Sequence, residues 1–280
     1  MSYFKLKSHA KINLALNVTG KIKSLHKIES IVSFLTLHDE IFIKSIKDKN
    51  HIVKFIGKFS KNIKSKNTVS QLLENLEKKK FLKKKFKILI KKNIPSKAGL
   101  GGGSMNSARI FNFLKRRNFI KLSTKDMTKI LKSVGSDVIL GIYSKNLILK
   151  SNGLIKTFNA KKRIYVLVVK PSFGCSTKQI YSKLKKYTKP KFNNISKNMF
   201  SLDFLKTMDN NLEAVSLKKY PKLNTLKKFL EKLSGVKFVR MTGSGSAIIG
   251  YFNSDKKCKE AEKIVKKKFR NYWCKTSKTI

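Results

Sequence analysis

The chain has 280 residues, of which 41% are hydrophobic, enough to build ordered cores over more length than one simple domain needs and unlike a disordered basic tail. No apolar run approaches the ~18 residues of a membrane span, and the opening residues mix Lys into their apolar pattern, so neither an anchor nor a secretory leader is expected. The 65 basic against 15 acidic residues give a net charge of +50, a field that attracts polyanions.

That charge does not read as a nucleic-acid interface. Only Arg109, Arg116, Arg117, Arg163, Arg240 and Arg270 are arginine, the side chain suited to bidentate phosphate and base contacts. The lysines run the whole length beside abundant Asn, Ile and Phe, a mixture that A/T-rich codons produce by themselves. No specific nucleic-acid partner is expected. Cys175, Cys258 and Cys274 form no CxxC pair and read as structural thiols of a reducing cytoplasm. His9, His26, His38 and His51 lack metal-binding spacing, so no His-based metal site is expected.

In chain order, apolar alternation predicts strands over Lys11–Val18, Ile31–Leu37, Ile41–Ile46 and Ile52–Ile56. Val69, Leu72, Leu73 and Leu76 fall at helical spacing within Asn67–Lys79. A strand over Phe86–Ile90 leads into a glycine-rich segment. A helix over Ser104–Leu114 follows, with Ser104 placed to cap it. Another helix spans Thr124–Leu131 behind Ser123, then a turn at Val134–Asp137 and a short strand at Leu147–Leu149. Polar and basic residues near Asn159–Arg163 suggest a boundary, dividing the chain into domains 1–160 and 161–280. Beyond it the pattern predicts strands at Tyr165–Val169, Phe238–Met241 and Ala247–Phe252, and helices at Thr177–Leu184, Asn210–Leu217, Leu223–Leu233 and Lys256–Phe269. Sequential strands favour antiparallel sheets with helices on one face, an α+β class.

The segment Pro95-Ser96-Lys97-Ala98-Gly99-Leu100-Gly101-Gly102-Gly103-Ser104 carries the chemistry. Four glycines in five residues remove Cβ atoms and let main-chain N–H groups approach a polyphosphate closely. The helix start beyond adds unpaired N–H groups and the positive end of its dipole. No Gly-Lys-Ser/Thr closes the segment, which excludes a Walker loop.

Five segments in order resemble the GHMP kinase superfamily: Ala10-Lys11-Ile12-Asn13-Leu14, Ala98–Ser104, Val134-Gly-Ser-Asp-Val138, Asn210-Asn-Leu-Glu213 and Met241-Thr-Gly-Ser-Gly-Ser246. The similarity is strongest to the branch that phosphorylates a cytidine-diphosphate-linked methylerythritol on the way to isoprenoid precursors. It implies a two-domain α+β fold whose N-terminal domain is similar to ribosomal protein S5 domain 2, with the active site in the cleft between the domains. It also implies ATP with Mg2+, a small-molecule substrate, and a monomer or homodimer.

By the same resemblance, Asp137 accepts the substrate hydroxyl proton and Lys11 sits beside it. Pro95 to Met105 contact the nucleotide, and Asn67 lies near the adenine or simply caps its helix. Ser104 serves the phosphates, Mg2+ or the helix cap. Asn13 meets the erythritol part, and His26, Thr177 and Tyr181 the cytosine. Three departures from the family pattern stand out: Leu25 where an aromatic covers the base, Met105 where a second serine is usual, and Asn211 in place of Asp. Another GHMP kinase acting on homoserine or mevalonate, or a basic RNA-binding protein, are the competing readings.

Overall fold

The computed structural model describes residues 2–23, 25–61, 63–159 and 163–280. Residues 160–162 of the expected boundary lie outside the described residues, as does Ser24. The chain folds as two compact units. One comprises Met1–Lys11, Leu37–Ser96 and Gly101–Ser144, the other Ile12–Thr36, Lys97–Leu100 and Lys145–Ile280.

Two long strands, β1 (Phe4–Ile22) and β2 (Leu25–Ile46), contribute residues to both units. The pattern had divided β2 at its polar His38-Asp39-Glu40, but the strand runs on unbroken because Asp39 is buried and fully hydrogen-bonded. In the first unit β3 (Ile52–Ile56) pairs parallel with β4 (Lys85–Lys91), and β4 pairs antiparallel with β2, setting Ile41 opposite Ile90 and Ile43 opposite Ile88. Period-two alternation turns Phe86, Ile88 and Ile90 inward. Over that face lie α1 (Thr68–Lys78), α2 (Gly102–Arg116), α3 (Thr124–Val134) and the short α4 (Val138–Tyr143), closing a core that includes Leu72, Leu76, Phe111, Leu114 and Leu131. Asn67 and Ser70 form a reciprocal capping box at α1, and Ser123 Oγ accepts from the N–H of Asp126 at α3.

In the second unit β5 (Asn146–Leu149) pairs with β2 and with β6 (Ile155–Phe158), both antiparallel. A second antiparallel sheet has the order β10-β7-β9-β8, where β7 is Tyr165–Lys170, β8 Val236–Met241, β9 Ile248–Phe252 and β10 Trp273–Lys278. The helices α5 (Thr177–Ser182), α6 (Leu202–Lys206), α7 (Glu213–Lys219), α8 (Pro221–Glu231) and α9 (Asp255–Lys268) complete the unit. Its core joins Leu167, Val169, Ile248 and Phe252 to Leu223, Leu226 and Leu230 of α8 and Cys258 and Val265 of α9. All three cysteines are free and buried. Burial pushes the Cys175 thiol up to about 11 and those of Cys258 and Cys274 to about 12, as expected of packing residues.

Several elements escaped the pattern. α4 has six residues, too few to show a period, and β6 and β10 are polar edges defined by the strands they pair with. Helix α7 begins at Glu213 instead of Asn210, because Asn210 spends its side chain and backbone on other partners.

Replacing fully buried Leu226 by Ala should cost about 2–5 kcal/mol in denaturant unfolding. The same change at exposed Ile264 on α9 should stay within about 0.5 kcal/mol.

Candidate active site

After β4 the chain turns through Pro95 and reaches Gly101, whose left-handed φ of 66° starts α2. A Cβ there would fall 2.8 Å from Lys11 Cγ, so the bare glycine makes room for the lysine stem. Helix α2 thus begins at Gly102, and Ser104 lies inside its first turn, not at its cap. The three-glycine run takes helical angles freely once Gly101 has made the turn. No side chain caps this helix and its first turn carries no acidic residue. Its N–H groups and positive dipole end are left for an outside anion. Met105 contributes by packing: its N–H donates to the Gly101 carbonyl at 2.8 Å, and a Cβ on Gly141 would fall 3.0 Å from its sulfur.

Lys11 is 4% exposed and its Nζ lies 3.0 Å from Asp137 Oδ2, while the Asp137 side chain is 33% exposed. Asp137 occupies the cap position of α4 but makes no capping bond. Its carboxylate is therefore held by an ammonium and still open to solvent. The turn before it sits by α2, with a Cβ on Gly135 falling 3.8 Å from Ser104 Oγ. The expected pair Lys11 and Asp137 is brought together beside Gly101, in one unit. Asn67 accepts from the N–H groups of Val69 and Ser70 and donates to the carbonyls of Lys64 and Ser65, so its amide is engaged in the α1 cap. Thr68, next to it, lies against Gly103, where a Cβ would fall 3.1 Å from Thr68 Oγ1.

Residues Lys97–Leu100 belong to the second unit and dock on the other glycine cluster. The Lys97 carbonyl accepts from Ser246 N at 3.3 Å, the Ala98 carbonyl from Ala247 N at 3.2 Å, and the Gly99 carbonyl from Thr242 Oγ1 at 3.2 Å. A Cβ on Gly99 would fall 2.0 Å from the Thr242 carbonyl oxygen, which no side chain survives. The cluster is itself braced. Asn210 Nδ2 donates to the carbonyls of Met241 (2.8 Å) and Gly243 (2.7 Å), and Glu213 accepts from the Met241 N–H. Burial lifts Glu213 above the usual carboxylate range, opposed by that N–H and by Lys227 and Arg240. Arg240, 5% exposed, donates to the carbonyls of Leu14 and Met208. These bracing roles were invisible in the sequence, where the same residues showed only as motif matches.

The remaining expected residues also fall in the second unit. The Asn13 N–H donates to Thr242 Oγ1 at 3.0 Å, its Nδ2 donates to Ser30 Oγ at 2.8 Å, and it is 2% exposed. Thr177 and Ser244 share a hydroxyl hydrogen bond of 2.8 Å. The rings of His26 and Tyr181 are 4.6 Å apart, with Tyr187 6.3 Å from His26. Leu25 is 72% exposed. Asn211 Oδ1 accepts from the Val18 N–H at 2.8 Å, a bond an amide oxygen makes as well as a carboxylate. A groove of about 1540 Å³ borders Lys183, Lys218, Lys237, Asn210, Asn211 and Glu213 and includes none of the expected site residues.

A glycine-lined helix start thus lies beside the Lys11–Asp137 pair, and comparison with known proteins gives the class. The chain belongs to the GHMP kinases: residues 67–145 match the model "GHMP kinases N terminal domain" and residues 184–271 match "GHMP kinases C terminal". It is an ATP-dependent small-molecule kinase. It is 53% identical over 281 residues to the 4-diphosphocytidyl-2-C-methyl-D-erythritol kinase of Pelagibacter ubique, covering 100% of both chains. It is 33% identical over 287 residues to the enzyme of that name from Clostridium tetani, covering 99% of this chain and 100% of that one. A crystal structure of 4-(cytidine 5'-diphospho)-2C-methyl-D-erythritol kinase shares the fold with a TM-score of 0.75 at 20% identity, over 98% of this chain and 99% of that one. Homoserine kinase from Cytophaga hutchinsonii shares it at 0.73 and 14% identity, over 100% and 95%.

Gly101→Ala forces a left-handed φ on an L side chain and pushes on Lys11, so it should weaken ATP binding by about tenfold or more. Titration calorimetry with ATP on a variant of unchanged fold checks it.

Proposed function

We infer that this protein transfers the γ-phosphoryl group of ATP to the 2-hydroxyl of 4-diphosphocytidyl-2-C-methyl-D-erythritol, in the non-mevalonate route to isoprenoid precursors. The observation that carries the chemistry is the 3.0 Å Lys11–Asp137 pair beside the uncapped glycine start of α2. The relative at 53% identity over the full chain supports the substrate.

In this reading the main-chain N–H groups of Gly101 to Ser104 receive the polyphosphate, with residues Pro95 to Leu100 shaping the approach. Asn67 serves the nucleotide through Thr68 of the helix it caps. The substrate oxygen attacks the γ-phosphorus, its bond to phosphorus forms as the bond to the β-phosphate oxygen breaks, and ADP leaves. The hydroxyl proton passes to the Asp137 carboxylate. The Lys11 ammonium pairs with that carboxylate beforehand and offsets charge on the phosphoryl oxygens during transfer. Mg2+ would be carried by the nucleotide's own phosphates, where it would neutralise their charge. Among the described residues no group of three or more His, Cys, Asp or Glu side chains could hold a metal alone.

Asn13 meets the erythritol part, and His26, Thr177 and Tyr181 receive the cytosine, Tyr181 giving the flat surface. Exposed Leu25 adds little stacking area, so the base relies on that single tyrosine face. Free, buried thiols fit a reducing cytoplasm, and we place the protein there as a monomer or homodimer with domains 1–160 and 161–280. No helix among the described residues is long and apolar enough to cross a membrane.

Asp137→Asn should lower kcat by about 10²-fold or more with ATP and the cytidylyl alcohol, measured as ADP release. Near-wild-type turnover would remove Asp137 from the mechanism, and equal turnover of homoserine or mevalonate would defeat the substrate assignment. A second expectation concerns pH. Burial, then the charge of Lys21, lowers the pKa of His26 from 6.5, so its ring stays neutral at neutral pH and gains a proton only in more acidic solution. KM for the cytidylyl substrate should be flat in neutral and alkaline solution and rise in acid, and a His26→Gln variant should lose that acid limb.

A further inference from the structure

Beneath the start of the phosphate loop lies a charged cluster that the reaction as described does not use. Asp39 on β2 is 0% exposed and Lys92, just past β4, is 4% exposed. Buried charges persist only when paired and hydrogen-bonded. Asp39 satisfies that condition on both oxygens. Its Oδ1 accepts from the N–H groups of Asn93 and Ile94, each at 2.8 Å. Its Oδ2 is ion-paired with Lys92 Nζ and accepts from Asn106 Nδ2 at 3.0 Å. Asn93 adds a bond from its Nδ2 to the His38 carbonyl at 3.0 Å.

The donors have a common feature. Lys92, Asn93 and Ile94 lead into Pro95, and Asn106 lies in the early part of α2, so one carboxylate holds both ends of the glycine segment. Lys92 also underlies the helix start: a Cβ on Gly102 would fall 3.2 Å from its Nζ and 3.1 Å from Ile94 Cγ2. Stability alone does not call for this cluster, since apolar side chains of similar volume commonly replace a buried ion pair without loss. Asn106 is retained although its Oδ1 is buried without a hydrogen-bond partner, a cost that an apolar residue would avoid.

We propose that Asp39 and Lys92, with Asn106, are positioning residues for the nucleotide, fixing the distance between the strand end at Ile94 and the first turn of α2 so that its amides converge on the phosphates. The proposal rests on the reading of Gly101–Ser104 as the phosphate site. Its signature is selectivity: loosening the cluster harms ATP and ADP binding and leaves the acceptor alone.

The test uses the full chain. ADP affinity is measured by calorimetry without acceptor, and KM is measured separately for ATP and for the cytidylyl alcohol. Lys92→Met should weaken ADP binding and raise KM for ATP by ~10-fold, with acceptor KM within ~2-fold of wild type. Asn106→Ala removes one neutral hydrogen bond and should weaken ADP by ~3-fold; it decides the matter if Lys92→Met fails to fold. Wild-type ADP affinity in the folded variants, or equal rises in both KM values, would overturn the positioning role alone. A wild-type protein that binds no ADP would overturn the phosphate-site reading and this role with it. Failure to phosphorylate the cytidylyl alcohol, with ADP binding intact, touches only the substrate assignment and leaves the ADP arm decisive.

Discussion

The structure depends on an unneutralised helix start. At α2 the protein withholds both a capping side chain and an acidic residue, so no such side chain neutralises the first-turn N–H groups and the positive dipole end. In the proposed reading an anion supplied from outside completes that helix, and a polyphosphate supplies several acceptors at once. The glycines are required for two separable reasons. Gly101 must adopt a left-handed φ against the Lys11 stem, whereas Gly99 must leave space for the Thr242 carbonyl.

Motifs separated along the chain meet within each unit. Lys11 touches the site through Gly101 and reaches Asp137, which is free of capping duty. The second glycine cluster receives the Lys97–Gly99 carbonyls through Thr242, Ser246 and Ala247. Asn210 and Glu213 in turn hold the carbonyls and N–H of Met241 and Gly243. The Asn210–Glu213 segment thus acts by fixing the backbone geometry of the second glycine cluster.

How much of this was legible in the sequence varied with its physical origin. Strands and helices with strong alternation or helical spacing, such as β4 and α1, followed the pattern because one face of each is buried. The pairing of Lys11 with Asp137 was expected from ordered motifs, since 126 positions separate the two and no local pattern links them. The cap was misplaced at Ser104 because a serine before an apolar run is the usual signal, and a glycine run able to take helical angles overrides it. Asp39 and Lys92 were missed for the opposite reason. Charged residues at a strand end read as solvated, and only three-dimensional pairing makes their burial tolerable. The aromatic cluster of His26 and Tyr181 was expected, but Tyr187 near it was not, lying beyond α5 where the chain has no regular period.

The central claim is that bare amides at the start of α2 grip the nucleotide's phosphates. Two-dimensional 1H–15N spectra recorded while a non-hydrolysable ATP analogue is added would test it directly. The account predicts that the largest amide shifts fall on Gly101, Gly102, Gly103 and Ser104, and that adenosine without phosphates leaves them in place. Large shifts confined to other segments, or equal responses to adenosine and the triphosphate, would contradict it.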